Sequence, residues 1–143
     1  MRGPSSDAAY LASILRTIPG PVVLVGHSYG GEVISEAATQ VHNVRALVFL
    51  NAFALEKGES ALDITNRFTK GLLGSSLVTR SFPQAGGGMG TDLYIDPSKL
   101  RAVMAADVPA SVTNVLATTQ RPIAKAALEE EVTAAAWKTI PWW

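Results

Sequence analysis

The strongest constraint on the fold is a serine set among glycines between an apolar run and an amphipathic one, in PVVLVGHSYGGEVISEAA from Pro21 onward. Before the glycines, residues 22–25 are β-branched or aliphatic without alternation, which is typical of a parallel strand buried on both faces. After them, apolar residues recur at helical spacing, with Val33 and Ala37 on one side. A buried strand is therefore predicted to turn into a helix within a few residues.

The neighbouring segments continue this alternation. Upstream, SSDAAYLASILRTIPG predicts a helix with a polar start and an apolar face. The candidate caps are Ser5, Ser6 and Asp7, and the apolar face comprises Tyr10, Leu11, Ile14 and Leu15. Downstream, residues 46–50 form a second apolar run, again predicted as a central strand. The order helix, strand, helix, strand indicates a doubly wound α/β sheet with right-handed crossovers.

Residues 26–30, GHSYG, fit the pattern G-x-S-x-G. The pattern requires a strand that turns sharply into a helix, because the serine then adopts a strained conformation with its hydroxyl exposed at the strand end. The predicted strand and helix supply that context. Ser28 is therefore the predicted nucleophile, and the backbone N–H of Tyr29 is predicted to donate to an oxyanion. The alternative is a glycine-rich turn in which Ser28 only caps the helix.

Four further residues are predicted to shape this turn: Gly26, His27, Gly30 and Gly31. Gly26 and Gly30 are expected to leave room where a Cβ would collide with the adjoining strand or helix. His27 is expected to pack or hydrogen-bond beneath the turn, because successive residues of a strand point to opposite faces.

On these residues the sequence resembles the α/β-hydrolase superfamily, in its serine esterase branch with a helical cap. PVVLVGHSYGG resembles the nucleophile elbow, and RALVFLNAFALEKGES resembles the next core strand and its loop. DLYIDP and TTQRPIAKAA are similar to the cap of an esterase-like subgroup related to plant esterases and hydroxynitrile lyases. The resemblance implies a partial α/β-hydrolase fold: central parallel strands with flanking helices, plus a mostly helical cap. It assigns residues 1–59 to the core, 60–136 to the cap and 137–143 to the return toward the core sheet.

The resemblance also implies a triad acid and histidine that follow the serine in chain order, beyond a strand that comes after the cap. The sequence ends at IPWW, where that strand would start, so neither residue has a counterpart here. The first core strands would likewise precede residue 7. The chain is therefore expected to be a fragment of a longer hydrolase, weakly active or inactive by itself. Neither His27 nor His42 is expected to act as the base, since His42 follows a helix of about 16 Å at about 1.5 Å per residue.

The remaining polar and aromatic residues favour structural roles. Asn51 follows the second strand at the edge where ligands bind in open α/β sheets, so it could line the pocket or make a loop hydrogen bond. The acids of the cap are expected to start turns or cap helices, and the acidic run to form a solvated helix face. These acids are Asp92, Asp96, Asp107 and the run Glu129, Glu130 and Glu131. The tryptophans expected in a core or pocket are Trp137, Trp142 and Trp143.

Composition argues against several other classes of protein. The chain has no cysteine and two histidines, so neither a metal site nor a cofactor is expected. Its formal net charge is zero, without a basic block or acidic tail, which argues against nucleic acid or an anionic membrane as a partner. No signal peptide or membrane span is predicted, so a cytoplasmic location is expected. The sequence does not indicate an oligomeric state.

The predicted function is a serine hydrolase that cleaves small-molecule esters or related acyl compounds through a covalent acyl-enzyme. Two alternatives stay open. One is a non-catalytic, hydrolase-like protein that binds small molecules, which is compatible with the missing base. The other is an enzyme of the hydroxynitrile-lyase type on the same fold.

Overall fold

The computed structural model describes residues 1–68 and 71–143, which form two compact units. The core unit comprises Arg2–Arg67 and Ala127–Trp143, and the insert unit comprises Met1 and Phe68–Ala126. The helices are α1 (Pro4–Leu15), α2 (Gly30–Ala38), α3 (Ala61–Asn66), α4 (Leu100–Met104), α5 (Ala110–Thr119) and α6 (Lys125–Glu129). The strands are β1 (Val22–Ser28), β2 (Val44–Ala52), β3 (Leu77–Pro83), β4 (Met89–Ile95) and β5 (Ile123–Ala124). Short 3₁₀ turns lie at Gly74–Ser76 and Ala136–Lys138.

The centre of the core unit is a pair of parallel strands, β1 and β2, which confirms the predicted arrangement. A further extended segment pairs with β2 near the end of the chain. The Leu47 N–H donates to the Pro141 carbonyl at 2.9 Å, and the Trp143 N–H donates to the Leu47 carbonyl at 3.0 Å. The chain therefore returns to the sheet at residues 141–143.

One face of this sheet is covered by α1 and α2. Leu24 of β1 and Leu47 of β2 point into this core. The core also contains Ala8, Leu15, Ile34, Ala37, Ala38, Val44 and Ala136. On the opposite face Val23, Val25 and Leu50 are 54–58% exposed. The prediction of a strand buried on both faces is therefore wrong for the described residues, because the two packed helices lie on the same side of β1.

Helix α1 starts earlier than the sequence predicts and buries only part of the predicted apolar face. It begins at Pro4, with Gly3 at the cap position, so none of the predicted polar caps is the N-cap residue. Leu15 of the predicted face is buried and Leu11 packs against the core, but Tyr10 and Ile14 are 71% and 42% exposed. The rest of the buried side includes Ala8 and Ala12. The small residues on the buried side of α1 let α1 and α2 approach closely. This packing outweighs the hydrophobicity of Tyr10, which stays outside.

Aromatic contacts hold the segment at residues 141–143 that returns to the sheet. The Trp142 ring lies edge-on to Phe49, with centroids 6.1 Å apart, and edge-on to Trp137 at 6.0 Å. The Trp137 indole N–H donates to the Leu55 carbonyl at 2.9 Å. Trp137 is therefore a core aromatic, as expected, while Trp143 is 71% exposed.

The insert unit contains an antiparallel sheet in the order β3, β4, β5, together with α4 and α5. The expectation of a mostly helical cap over residues 60–136 is wrong for residues 77–83 and 89–95, which form strands, and residues 69–70 of it lie outside the described residues. β3 and β4 form a hairpin whose turn places Gly87 and Gly88 at φ 89° and 81°. Pairing with β4 decides the conformation of β3, so this unit is mixed rather than mostly helical. Residues 93–95 are extended and belong to β4.

The described helices are too short or too polar for a membrane span: none in residues 1–68 and 71–143 combines the required length and hydrophobicity.

The core-unit loop after β2 leads into α3 through a capping box. The Asp63 N–H donates to the Ser60 hydroxyl at 3.2 Å, and the Ser60 N–H donates to the Asp63 carboxylate at 3.1 Å. These reciprocal bonds fix where α3 begins.

Candidate active site

Ser28 is the last residue of β1 and stands two residues before α2 begins. Its φ is 53°, in the left-handed region that is uncommon for residues other than glycine. The strand, the abrupt turn and the helix lie in the order that the sequence predicts. A backbone conformation of this kind persists only where the surroundings enforce it, and such positions cluster at functional sites.

Two glycines allow the tight turn. A Cβ on Gly26 would lie 2.6 Å from the Gly30 carbonyl oxygen, and one on Gly31 would lie 2.4 Å from the Phe53 carbonyl oxygen. Gly30 differs from both. Apart from its own helix backbone, no atom lies within 4 Å of the place where its Cβ would stand, so the prediction that a side chain there would collide is wrong. The close approach of α2 to β2 occurs one residue later.

The peptide unit between Ser28 and Tyr29 has a fixed orientation. The Ser28 carbonyl accepts a hydrogen bond from the Phe53 N–H at 3.1 Å. In a trans peptide the N–H points away from the carbonyl, so the Tyr29 N–H faces the other way. No hydrogen bond between described residues uses this N–H. It is therefore free of backbone partners in the described chain, beside the serine hydroxyl and near the start of α2.

The Tyr29 side chain points into the core unit and is 5% exposed. Its hydroxyl donates to the Asp7 carboxylate in α1, at 2.8 Å. Burial, and then this hydrogen bond, raise the pKa of the Tyr29 hydroxyl far above its ordinary value, so the group remains a donor at any working pH. Asp7 thus contacts the predicted site. In the sequence it is only a candidate helix cap, because no periodic pattern connects it with Tyr29.

Two carboxylates lie buried on α2 just behind the turn. Glu32 is fully buried, and neither of its carboxylate oxygens finds a partner among the described residues. Burial, and then the nearby carboxylates of Glu36 and Glu130, raise the pKa of Glu32 to about 8. One oxygen of Glu36 accepts from both the Thr133 N–H, at 3.3 Å, and the Thr133 hydroxyl. Sequence reasoning missed this pair, although two acids four residues apart on an otherwise apolar helix were a usable signal.

These acids do not form a metal centre. Among residues 1–68 and 71–143, no three histidine, cysteine, aspartate or glutamate side chains are grouped so that they could hold a metal ion. What the arrangement does chemically is to place poorly solvated carboxyl groups behind the turn. Burial of this kind favours the neutral form of Glu32.

Both histidines are exposed. His27 lies in β1 on the face opposite to the covered core, so the expectation that it packs beneath the turn is wrong. His42 lies past the end of α2, in the turn before β2. No hydrogen bond between described residues joins either histidine to Ser28, so within the described chain neither is placed as a base.

Asn51 lies beside the turn on the neighbouring strand and also has a left-handed backbone, with φ 43°. The register shifts there: His27 pairs with Leu50, but Ser28 pairs with Ala52, so Asn51 is the extra residue of a bulge. It is exposed at the carboxyl end of β2. The bulge displaces the chain so that the Phe53 N–H meets the Ser28 carbonyl. A pocket-lining role for Asn51 stays a prediction.

The other acidic residues for which the sequence predicts structural roles lie in both units. Asp96 accepts from the Ser98 N–H at 2.9 Å and hydroxyl at 2.7 Å, which confirms a turn-forming role. Asp92 differs from its prediction, because it is buried within β4 rather than in a turn. Asp107 is exposed. Glu130 is not part of a solvated helix face: its carboxylate accepts from the Ser5 N–H at 3.1 Å at the start of α1.

Comparison with known proteins places the chain in a family. A family model described as the alpha/beta hydrolase family matches residues 3–143. Over 42 residues the chain is 50% identical to the carbendazim hydrolyzing esterase of Nocardioides sp. (strain SG-4G), a stretch that is 29% of this chain and 17% of that protein.

Two solved structures share the fold. The crystal structure of polyneuridine aldehyde esterase matches with a TM-score of 0.71 at 16% identity, covering 94% of this chain and 56% of that one. A methylesterase, MES16 from Arabidopsis, matches with a TM-score of 0.71 at 17% identity, covering 98% of this chain and 55% of that one. The chain thus spans little more than half the length of these structures. Because the family model matches nearly every residue, the chain belongs to the alpha/beta hydrolase family.

Proposed function

We propose that the protein containing this chain is a serine hydrolase of carboxylic esters, with Ser28 as the nucleophile. The observation that carries this proposal is the φ of 53° at Ser28, between the end of β1 and the start of α2. A serine that only capped a helix would have no need of this conformation, since N-cap residues normally adopt an extended backbone. The strained turn instead exposes the hydroxyl at the end of the strand.

The Tyr29 N–H is the proposed oxyanion donor. Attack of the Ser28 hydroxyl oxygen on the acyl carbon forms a C–O bond and places negative charge on the former carbonyl oxygen. A donor that already points to that oxygen stabilises the charge without reorganisation. The bond from Phe53 to the Ser28 carbonyl supports this assignment, because it turns the N–H of the same peptide unit away from the neighbouring strand.

The proton of Ser28 requires a base that we propose to lie outside the 143 residues. Neither described histidine is hydrogen-bonded to Ser28. The base would take the hydroxyl proton during attack and deliver it to the leaving alcohol as the C–O bond to that alcohol breaks. Water then attacks the acyl-enzyme in the same way, releasing the carboxylic acid and restoring Ser28. A companion acid would orient the base, as in other triads.

The names of the relatives support a small-molecule ester as the substrate. The partially matching protein from Nocardioides is described as a carbendazim hydrolyzing esterase. The two structural matches are named polyneuridine aldehyde esterase and methylesterase. All three names describe esterases, and we extend that class, with a small-molecule ester as the substrate, to this protein.

The proposal is tested with the whole protein by hydrolysis of p-nitrophenyl acetate and butyrate and by labelling with a fluorophosphonate probe. Turnover and labelling are expected in the wild type, with the label on the peptide that contains Ser28. Ser28→Ala should abolish both. Ser13→Ala is the matched control, since Ser13 is an exposed serine of the same unit whose hydroxyl donates to the Tyr10 carbonyl. Unchanged turnover in Ser28→Ala, or a label on another residue, would overturn the proposal.

A further inference from the structure

We propose that Asp7 is a positioning residue: through the Tyr29 hydroxyl it holds the peptide unit that presents the Tyr29 N–H to the oxyanion. This inference rests on the proposed function, and it adds to the site a residue 21 positions before the serine in the chain. Asp7 would not touch the substrate. It would act on the reaction only through the geometry of its neighbour.

The Ser28–Tyr29 peptide unit is fixed from two sides. On the carbonyl side, the Phe53 N–H donates to Ser28 at 3.1 Å. On the other side, the ring of Tyr29 is buried and its hydroxyl donates to Asp7 at 2.8 Å. One attachment comes from the chain after β2 and the other from α1. Together they prevent rotation of the peptide plane, whereas either one alone would leave an end free.

Asp7 is itself held in place by backbone hydrogen bonds. Its N–H donates to the Gly3 carbonyl at 2.9 Å, in the first turn of α1. The carboxylate oxygen that accepts from Tyr29 also accepts from the Arg2 N–H at 3.2 Å. An acceptor fixed in this way transmits the position of α1 to the Tyr29 ring. A solvated surface carboxylate could not do so.

Loss of the Asp7 carboxylate would leave the buried Tyr29 hydroxyl without its acceptor. A buried hydroxyl without a partner costs free energy, so the Tyr29 side chain would turn toward another acceptor. Glu32, also buried and next to Tyr29 on α2, has two oxygens without partners among the described residues. Turning the ring toward it moves the Tyr29 backbone, and a shift of about 1 Å at a catalytic group can cost about 100-fold in rate.

The kinetic test uses the whole protein and compares Asp7→Ala and Tyr29→Phe with Asp7→Asn, which keeps an oxygen acceptor. For the first two we expect kcat to fall about 10- to 100-fold with KM within about twofold, because the donor acts on the transition state. Asp7→Asn should recover most of the activity. Asp107→Asn, at an exposed aspartate of the insert unit, is the matched control and should equal the wild type.

Two further readouts separate positioning from general stability. The preference for an ester over its thionoester depends on the oxyanion donor, so it should shrink in Asp7→Ala and Tyr29→Phe but not in Asp7→Asn. Amide hydrogen exchange should quicken selectively at residues 28–31 in the same two variants. Amide hydrogen exchange that quickens throughout α1 and α2 would overturn the inference. An unchanged ratio of ester turnover to thionoester turnover would do so as well.

The turnover and hydrogen-exchange measurements together also separate this inference from the proposed function. If the wild type shows no Ser28-dependent turnover, the catalytic part of both proposals fails. Hydrogen exchange then still decides whether Asp7 holds the peptide unit. If turnover depends on Ser28 but Asp7→Ala matches the wild type, only the present inference fails.

Discussion

The carboxyl groups of Glu32 and Glu36 lie one turn apart on the buried side of α2, and three of their four oxygens have no hydrogen-bond partner among the described residues. An ionised carboxylate in such surroundings is costly, so Glu32 favours its neutral form and its pKa rises to about 8. The groups that face it are also acidic: Glu36 from its own helix and Glu130 from the segment after α6. No described lysine or arginine forms an ion pair with Glu32.

The first prediction concerns stability against pH. The pKa of Glu32 is raised from an ordinary 4.5 to about 8 in the folded protein, so its contribution is fully present below pH 4.5 and is lost as pH rises through about 8. We expect the free energy of unfolding to fall by about 3 kcal/mol between pH 4.5 and 7 from this group. Urea unfolding across this range measures it.

Glu32→Gln should remove most of this pH dependence, because the amide does not titrate. Glu131→Gln is the matched control, since Glu131 is exposed. A wild type and Glu32→Gln with parallel stability profiles would contradict the assignment of a raised pKa to Glu32.

The second prediction compares neighbouring glycines. Gly31→Ala should destabilise the protein by about 2 kcal/mol or more, because its Cβ would lie 2.4 Å from a backbone carbonyl that cannot easily move. Gly30→Ala should be tolerated within about 0.5 kcal/mol, since alanine favours a helix and its Cβ meets no atom beyond its own helix. Thermal unfolding of both variants checks the difference. Equal destabilisation of the two variants would contradict the difference in free space around Gly30 and Gly31.

The third prediction concerns strain at Ser28. Ser28→Gly should be more stable than Ser28→Ala by about 1 kcal/mol, because glycine adopts a φ of 53° at no steric cost and alanine does not. Both variants should be inactive toward esters, as each lacks the hydroxyl. Chemical denaturation of the two proteins tests the difference in stability. If the alanine variant were the more stable one, Ser28 would not be strained.

The fourth prediction concerns the start of α3. Ser60→Ala should cost about 1 kcal/mol, since it removes the hydroxyl that accepts from the Asp63 N–H. Ser60→Thr should keep the bond and most of the stability. Hydrogen exchange at residues 61–66 measures the loss of helix α3. No change in Ser60→Ala would mean that the capping box contributes little to the folded state.

The strand, turn and helix around Ser28 were predictable because they depend on local pattern. Continuous β-branched residues, a glycine on each side of the serine and helical spacing all lie within eighteen residues. The Tyr29–Asp7 bond was not predictable, because it depends on how α1 packs against α2. That packing buries the small residues Ala8 and Ala12 together with Leu15, while the large side chains of Tyr10 and Ile14 stay exposed.

The hairpin of β3 and β4 was missed for a similar reason. β3 is rich in exposed residues, including Thr79, Arg80 and Ser81, so its sequence shows little alternation. Its conformation is decided by the partner strand and by the glycine turn at residues 87–88. The run of glycines was visible, but only a prediction of two strands on either side would have identified it as a hairpin turn.

The edge-on contact of Trp137 and Trp142 gives the core unit an optical reporter. Two indoles 6.0 Å apart and nearly perpendicular couple their electronic transitions, and this coupling produces a paired circular dichroism band that separate tryptophans do not show. One ring is anchored to the Leu55 carbonyl, and the other is carried by the segment that pairs with β2. Spectroscopy of the unaltered protein can therefore follow the attachment of residues 141–143 to the sheet, without any introduced label.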